Sequence, residues 1–385
     1  MTLAQQAASR PDGRSAPPGV VLALAAAGGR RTSSHERAAL ERHARDIAGL
    51  LGCEAGGWHE PGRKYADPVY FVPSDTLDTN EAAGLGIRGP DDLFGGVVPH
   101  PFVAGKTLSH PLVSATAARP PGWSVELERA AGDAVLDGFS AFSREDARAA
   151  GLRLLEKKGA VRVKPALASG GRGQSVARDA AGLQSAVDAL ASGELAVHGV
   201  VLEEDLAQVR TYSVGTVQVR DLRASYFGTQ QLTRDTRGNE VYGGSDIVVL
   251  RGGFDALAAA DAPADVRRGI EQARRFDAAV QRCYPGFFAS RRNYDVAAGR
   301  NPRGELRSGV LEQSWRFGGA TGAELAALAR LQAEPALARV RAVCVEVFGP
   351  SPEPPAGAIV HFRGEDPTAG LLTKYTVIEP DAHAS

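Results

Sequence analysis

Residues 161–176 read VRVKPALASGGRGQSV. A short β-type run ends at Lys164 and Pro165, and Gly170, Gly171 and Gly173 then surround Arg172. Backbone N–H groups in a glycine loop can cradle phosphate oxygens, and a nearby ammonium adds positive charge. The spacing is neither the GxxxxGK[ST] of a P-loop nor the GxGxxG of a dinucleotide-binding turn, because here the lysine precedes the glycines. Taken alone, the stretch reads equally as a strand with a solvated lysine and a surface turn.

The neighbouring segments extend the pattern. Ser143 and Asp146 have capping-box spacing, which predicts a helix to about Lys158 before the strand 160–165. A second helix is expected over 179–191, and the apolar strand 199–204 follows. That strand runs into VVLEEDL, residues 200–206, where two acids end an apolar run. A carboxylate there could accept from the exocyclic amine of adenine, with the following backbone pairing to the ring edge. The alternative is an edge strand with solvated acids.

Further along, SVGTVQV, ASYFGTQQLT and DIVVLRG read as antiparallel strands separated by turn-rich pieces, YGGSD (242–246) among them. A helix is expected over 264–283, and helical structure over roughly 322–348. Between these lies a hairpin, SRRNYDVAAG and LRSGVLEQSWR joined by RNPRGE. It places Asp295 and Glu312 on adjacent strands, where two like charges repel unless a cation sits between them. Mg²⁺ suits such a pair, since it takes oxygen ligands and keeps phosphate and water as well. Glu312, Ser314 and Arg316 alternate and so share one face. A solvent-facing polar stripe is the competing reading, weakened by the apolar Val310, Leu311, Trp315 and Phe317 around it. A last strand pair, AIVHFRG and LLTKYTVIE, closes the chain.

Toward the other end, VVLAL at 20–24 reads as a buried strand. Gly28 and Gly29 follow, then a helix opened by Ser33 and Glu36 and ended by Gly52, then a strand at 68–74. Strand, helix, strand predicts a parallel α/β unit. The first 18 residues read as a disordered tail, and residues 95–125 as a loop-rich connector.

Composition bounds the function. The chain has 385 residues, 45 glycines and a net charge of −1, with no basic run interleaved with aromatics, so nucleic acid is not an expected partner. Cys53, Cys283 and Cys344 stand apart, which argues against a disulfide framework or a structural zinc site and suits a reducing compartment. No membrane span or signal peptide is expected, and the setting is read as cytoplasmic.

The order of these pieces resembles the ATP-grasp superfamily, of the glutathione synthetase and biotin carboxylase kind, over roughly 130–345. KYADPVYFVPSDTL, AFSREDA, VYGGSD and SRRNYDV look like an uncharacterised bacterial family within it. The resemblance implies an α/β (α+β) ATP-grasp fold with an N-terminal parallel α/β domain at 19–125. It implies a small subdomain at 126–206 and a large one at 207–385. ATP would be held by Lys164, the loop Ser169, Gly170, Gly171, Arg172 and Gly173, and Glu203, with Lys106 as the earlier phosphate lysine. The backbone of Glu204 and Leu206 would complete the adenine hinge. Mg²⁺ would be held by Asp295, Glu312 and Ser314, the last standing where the family usually has Asn. Arg316 would reach the γ-phosphate or acyl-phosphate, and Arg292 or its neighbour Arg291 a substrate carboxylate. The implied activity is a carboxylate–amine ligase working through an acyl-phosphate. A kinase and a silent ATP-binding regulator are the alternatives. The implied partners are a small-molecule acid and nucleophile, and a second copy of the chain in a homodimer.

Overall fold

The computed structural model describes residues 18–27, 32–166 and 173–379. Strand β1 (Val20–Leu24) is buried along its length and lies between β2 (Glu54–Trp58) and β3 (Val69–Pro73), both parallel to it. Helix α1 (Ser34–Leu51) begins with the expected capping box: Ser33 Oγ accepts from Glu36 N–H, and the Glu36 carboxylate accepts from Ser33 N–H at 2.9 Å. It stops at Gly52, whose φ of 65° is left-handed and open to glycine at little cost. The sequence pattern missed β2, because EAGGW is glycine-rich and mostly exposed.

A linking stretch carries β4 (Leu77–Asp78), α2 (Thr79–Gly84), β5 (Gly96–Val98), two 3₁₀ turns at Pro101–Ala104 and Lys106–Ser109, and α3 (Glu126–Ala131). Next comes a four-stranded sheet built from β6 (Gly138–Ala141), β7 (Val161–Pro165), β8 (Ser175–Ala177) and β9 (Val200–Glu204), in the order β6-β9-β7-β8. Helix α4 (Arg144–Lys158), capped by Ser143, and α5 (Ala180–Asp188) cover one face, where Leu154, Leu183 and Val187 meet Val161, Val163 and Leu202. The single helix expected over 179–191 is two, with α6 (Ser192–His198) starting afresh after a break at Ala189.

The second sheet is antiparallel and eight-stranded. Its strands are β10 (Ala207–Val219), β11 (Leu222–Arg234), β12 (Glu240–Arg251), β14 (Arg291–Arg300), β15 (Leu306–Ser314), β16 (Arg339–Phe348), β17 (Ile359–Asp366) and β18 (Gly370–Glu379). Their order is β15-β14-β10-β11-β12-β16-β18-β17, and the short β13 (Phe288–Ala289) pairs instead with β5. Helix α7 (Phe254–Ala258) precedes α8 (Ala264–Cys283), whose Val266, Ile270, Ala273, Phe276 and Val280 stripe packs under Tyr212, Val214, Tyr294 and Val296. Helix α9 (Thr321–Ala333) joins α1 and β1 in a separate core against Val217, Ala224, Ile247 and Val249.

Two expectations are corrected here. The helical reading of 322–348 holds only to Ala333. RVRAVCVEVF is strand β16, where Val340, Ala342 and Cys344 alternate inward, so a period of two overrides the alanine content. The YGGSD stretch is not a loop but part of β12. Its glycines permit close contact: a Cβ on Gly244 would come within 2.1 Å of the Cys344 carbonyl oxygen.

Candidate functional site

A cleft of about 1680 Å³ runs between the small sheet and the large one, and both Lys164 and Glu312 line it. Lys164 comes from β7 and Glu203 from the end of the neighbouring β9, both almost fully buried. The ammonium sits 2.5 Å from Glu203 Oε1, and His110 Nε2 lies 3.2 Å from Oε2. Burial alone would raise the Glu203 pKa, but the Lys164 and His110 contacts overcome it and pull it down to about 2. Glu203 is therefore a compensated anion that holds Lys164 at the cleft wall.

The hinge beside it is partly committed. The Glu204 side chain turns away to Lys158 (3.2 Å) and Arg307 (2.8 Å), and its N–H donates to Asp137 O at 2.9 Å. Among the described residues, no backbone acceptor takes the Leu206 N–H, and Leu206 lines the cleft.

On the large sheet, Asp295 and Glu312 face each other across β14 and β15. The register near the turn, Val296 opposite Val310, would bring Leu311 to Asp295; a one-residue bulge brings Glu312 there instead. Gln230 Nε2 and Asn293 Nδ2 both donate to Asp295 Oδ1, at 2.8 and 2.9 Å. Burial first, and then the Glu312 charge, push the Asp295 pKa up to about 6. Glu312 is also burdened by burial, but Lys106, 2.9 Å away, holds it below the ordinary carboxylate range.

Cation–carboxylate pairs recur around the cleft, among them Lys164–Glu203, Lys106–Glu312, Arg316–Asp75 at 3.5 Å, Lys374–Glu346 at 2.9 Å, and Arg291–Glu324 at 2.7 Å. Asp295 has no salt-bridge partner among the described residues. A divalent cation at Asp295 and Glu312 would remove their repulsion and release Lys106 toward the cleft. The donor set, hard carboxylate oxygens, fits Mg²⁺. Ser314 shares the face of Glu312 and lies opposite Asn293, so an amide stands across the strand pair from the hydroxyl.

The structure brings Lys106, Lys164, Glu203, Glu204, Leu206, Asp295, Glu312, Ser314 and Arg316 to one cleft. Arg292 it does not: that side chain lies on the other face of β14, paired with Asp277 on α8 at 2.9 Å. Arg291 shares the parity of Asp295 and does line the cleft, where its Nη1 donates to Ser314 O at 3.3 Å. Ser169, Gly170, Gly171 and Arg172 lie outside the described residues, as do Gly28 and Gly29, while Gly173 has a left-handed φ of 68°. Sequence reasoning missed Asp75, His110, Gln230 and Asn293. Asn293 alone carried a local signal, standing two residues before Asp295 on the same face of β14.

The chain belongs to the family described as "Protein of unknown function (DUF3182)", whose model matches residues 23–376. No curated protein sequence matches it. Among solved structures it is similar to N5-carboxyaminoimidazole synthetase from Staphylococcus aureus, with 11% identity over 96% of this chain and 95% of that one and a TM-score of 0.53. It is similar to N5-carboxyaminoimidazole synthase from Aspergillus clavatus in complex with ADP and 5-aminoimidazole ribonucleotide, with 12% identity over 94% of each chain and a TM-score of 0.51. The biotin carboxylase domain of the Hydrogenobacter thermophilus 2-oxoglutarate carboxylase, in complex with Mg-ADP and bicarbonate, matches at 14% identity over 94% of this chain and 86% of that one, with a TM-score of 0.50. The fold is that of the ATP-grasp superfamily. No helix among the described residues is long and apolar enough to cross a membrane.

Proposed function

We propose that this chain is a Mg²⁺- and ATP-dependent ligase joining a carboxylic acid to an amine or related nucleophile, with release of ADP and phosphate. The observation that carries the reading is the Asp295–Glu312 pair, two opposed carboxylates with one uncompensated charge, set in one cleft with Lys106 and Lys164. The bound Mg-nucleotide would supply a γ-phosphoryl group that activates the acid as an acyl-phosphate.

The chain's own residues position and neutralise charge, which is most of the work in phosphoryl transfer. Asp295 and Glu312 would hold the ion, with the Ser314 hydroxyl on the same face. Lys164, Lys106 and the loop 169–173 hold the phosphates. The Leu206 N–H and the Glu204 backbone meet the adenine edge. Glu203 keeps lone pairs for the adenine amine while it orients Lys164. Arg316, whose partner Asp75 is half-exposed, is the guanidinium that can turn to the transferred group. The small and large sheets act as two jaws, 126–206 and 207–385, with the unit 19–125 beside them.

Incubation with Mg-ATP and a panel of carboxylic acids, with and without amines, tests this by ADP release. A ligase releases stoichiometric ADP only when acid and nucleophile are both present. ADP release with an acid or alcohol alone identifies a kinase. Binding of Mg-ATP without ADP under any pairing identifies a regulator and overturns the proposal.

A further inference from the structure

Away from the Asp295–Glu312 pair, a second cluster of ligating side chains joins the N-terminal unit to the last strands of the large sheet. His43 and Asp46 stand three residues apart on α1 and so share one face of the helix. His361 comes from β17. One ligand atom from each lies within 4.8 Å of the others. The two imidazole centroids are 5.1 Å apart. We propose that His43, Asp46 and His361 form a binding site for a first-row divalent metal ion of the Zn²⁺ type, fastening α1 to β17.

Two independent observations favour a ligand over simple packing of histidines. His43 is 3% exposed, and its Nδ1 has no hydrogen-bond partner. His361 Nδ1 is likewise buried and unpartnered, while its Nε2 lies 2.8 Å from Thr376 Oγ1. Donation to that hydroxyl would fix the tautomer that leaves the Nδ1 lone pair free, as outer partners of metal-bound histidines do. A buried polar nitrogen without a partner carries a desolvation cost that an ion would remove.

The surroundings also suit an ion. Arg42 and Lys374 lie near both imidazoles, and Arg291 near His43. Each of those cations has a carboxylate. Arg42 Nε donates to Asp46 Oδ1 at 2.8 Å, Lys374 pairs with Glu346 at 2.9 Å, and Arg291 pairs with Glu324. Arg42 therefore engages one oxygen of Asp46 and leaves the other for the ion. Two imidazoles and one carboxylate are a ligand set that Zn²⁺ accepts with a fourth position open. His43 and His361 both line the cleft, so that position is reached from it.

The test uses the full chain without an affinity tag, stripped with chelator and titrated with Zn²⁺ against a chromophoric competitor, with no nucleotide present. One Zn²⁺ per chain is expected. His43→Gln and His361→Ala should each weaken it by at least about 100-fold, and Thr376→Val by about 10–100-fold. His361→Gln, which keeps a polar side chain of similar reach, separates loss of a ligand from loss of fold; its melting curve without metal should match wild type while its Zn²⁺ affinity falls. Absence of stoichiometric Zn²⁺, or binding unchanged in all of these variants, overturns the proposal. Loss of Zn²⁺ in Glu312→Gln alone would place the ion in the ATP cleft and overturn it equally. None of these outcomes bears on ADP release, so the ligase reading stands or falls separately.

Discussion

Glu203 and Asp295 are carboxylates on opposite walls of one cleft, and their environments drive them in opposite directions. Glu203 is the more completely buried, yet Lys164 and His110 pull its pKa down to about 2. Asp295 accepts two amide hydrogen bonds but faces Glu312, and it is pushed up to about 6. Burial penalises both; the partner decides the outcome. The small sheet thus carries a finished ion pair that positions a lysine. The large sheet carries two opposed carboxylates, of which Glu312 is paired with Lys106, and a metal ion would neutralise their repulsion.

That contrast can be broken by neutralising each side in turn. Glu203→Gln leaves Lys164 buried without its counterion and should cost about 3–5 kcal/mol of stability in denaturant titration. A loss no greater than that of a surface substitution would show that the pair is not a scaffold. Glu312→Gln takes one carboxylate from the proposed metal pair and frees Lys106 of its anchor. ADP formation should drop by about 10²–10³-fold while the fold persists. Asp295→Asn removes like-charge repulsion, so the metal-free protein should gain on the order of 1 kcal/mol even as Mg-ATP affinity is lost. A destabilised Asp295→Asn would mean that the aspartate is already compensated.

The pH dependence sharpens the same comparison. Glu203 is depressed in the folded state, so its contribution to stability is present above the unfolded carboxyl range and is lost as pH falls toward 2. Asp295 is raised from 3.8, so it favours the folded state below that value and loses this stabilisation as pH climbs to about 6. Thermal melts of the metal-free protein across that window should show the Asp295 loss, and the slope should flatten in Asp295→Asn. Mg-ATP affinity should weaken as pH drops below about 6, where Asp295 takes up a proton. The smallest effect is expected at Arg292. Its partner is Asp277 on the far side of the sheet, so Arg292→Lys should leave Mg-ATP affinity within about twofold in calorimetry while lowering stability slightly.

Much of the large-sheet site was legible because its chemistry is local. SRRNYDVAAG and LRSGVLEQSWR read as a strand pair, and the strand period puts Glu312 and Ser314 on one face, with Arg316 just past the end of β15. The same period separates Arg291 from Arg292 and, anchored on Asp295, assigns the cleft to Arg291. The bulge that brings Glu312 opposite Asp295 was not legible: Gly309 stands just before it, but a lone glycine inside a strand does not say where the register shifts. Nor were the tertiary partners. His110 reaches Glu203 across 93 positions, and Asp75 reaches Arg316 from the end of another sheet. Composition misled at β16, where alanine-rich sequence upstream hid a valine alternation.

Calorimetric titration of ATP into wild type and Asp295→Asn, near neutral pH, with Mg²⁺ and again with chelator, tests the central claim most directly. Wild type should bind ATP clearly more tightly with Mg²⁺ than without, and Asp295→Asn should lose that difference. Equal affinity with and without Mg²⁺, or no heat with any nucleotide, would contradict the account of Asp295 and Glu312 as a metal site.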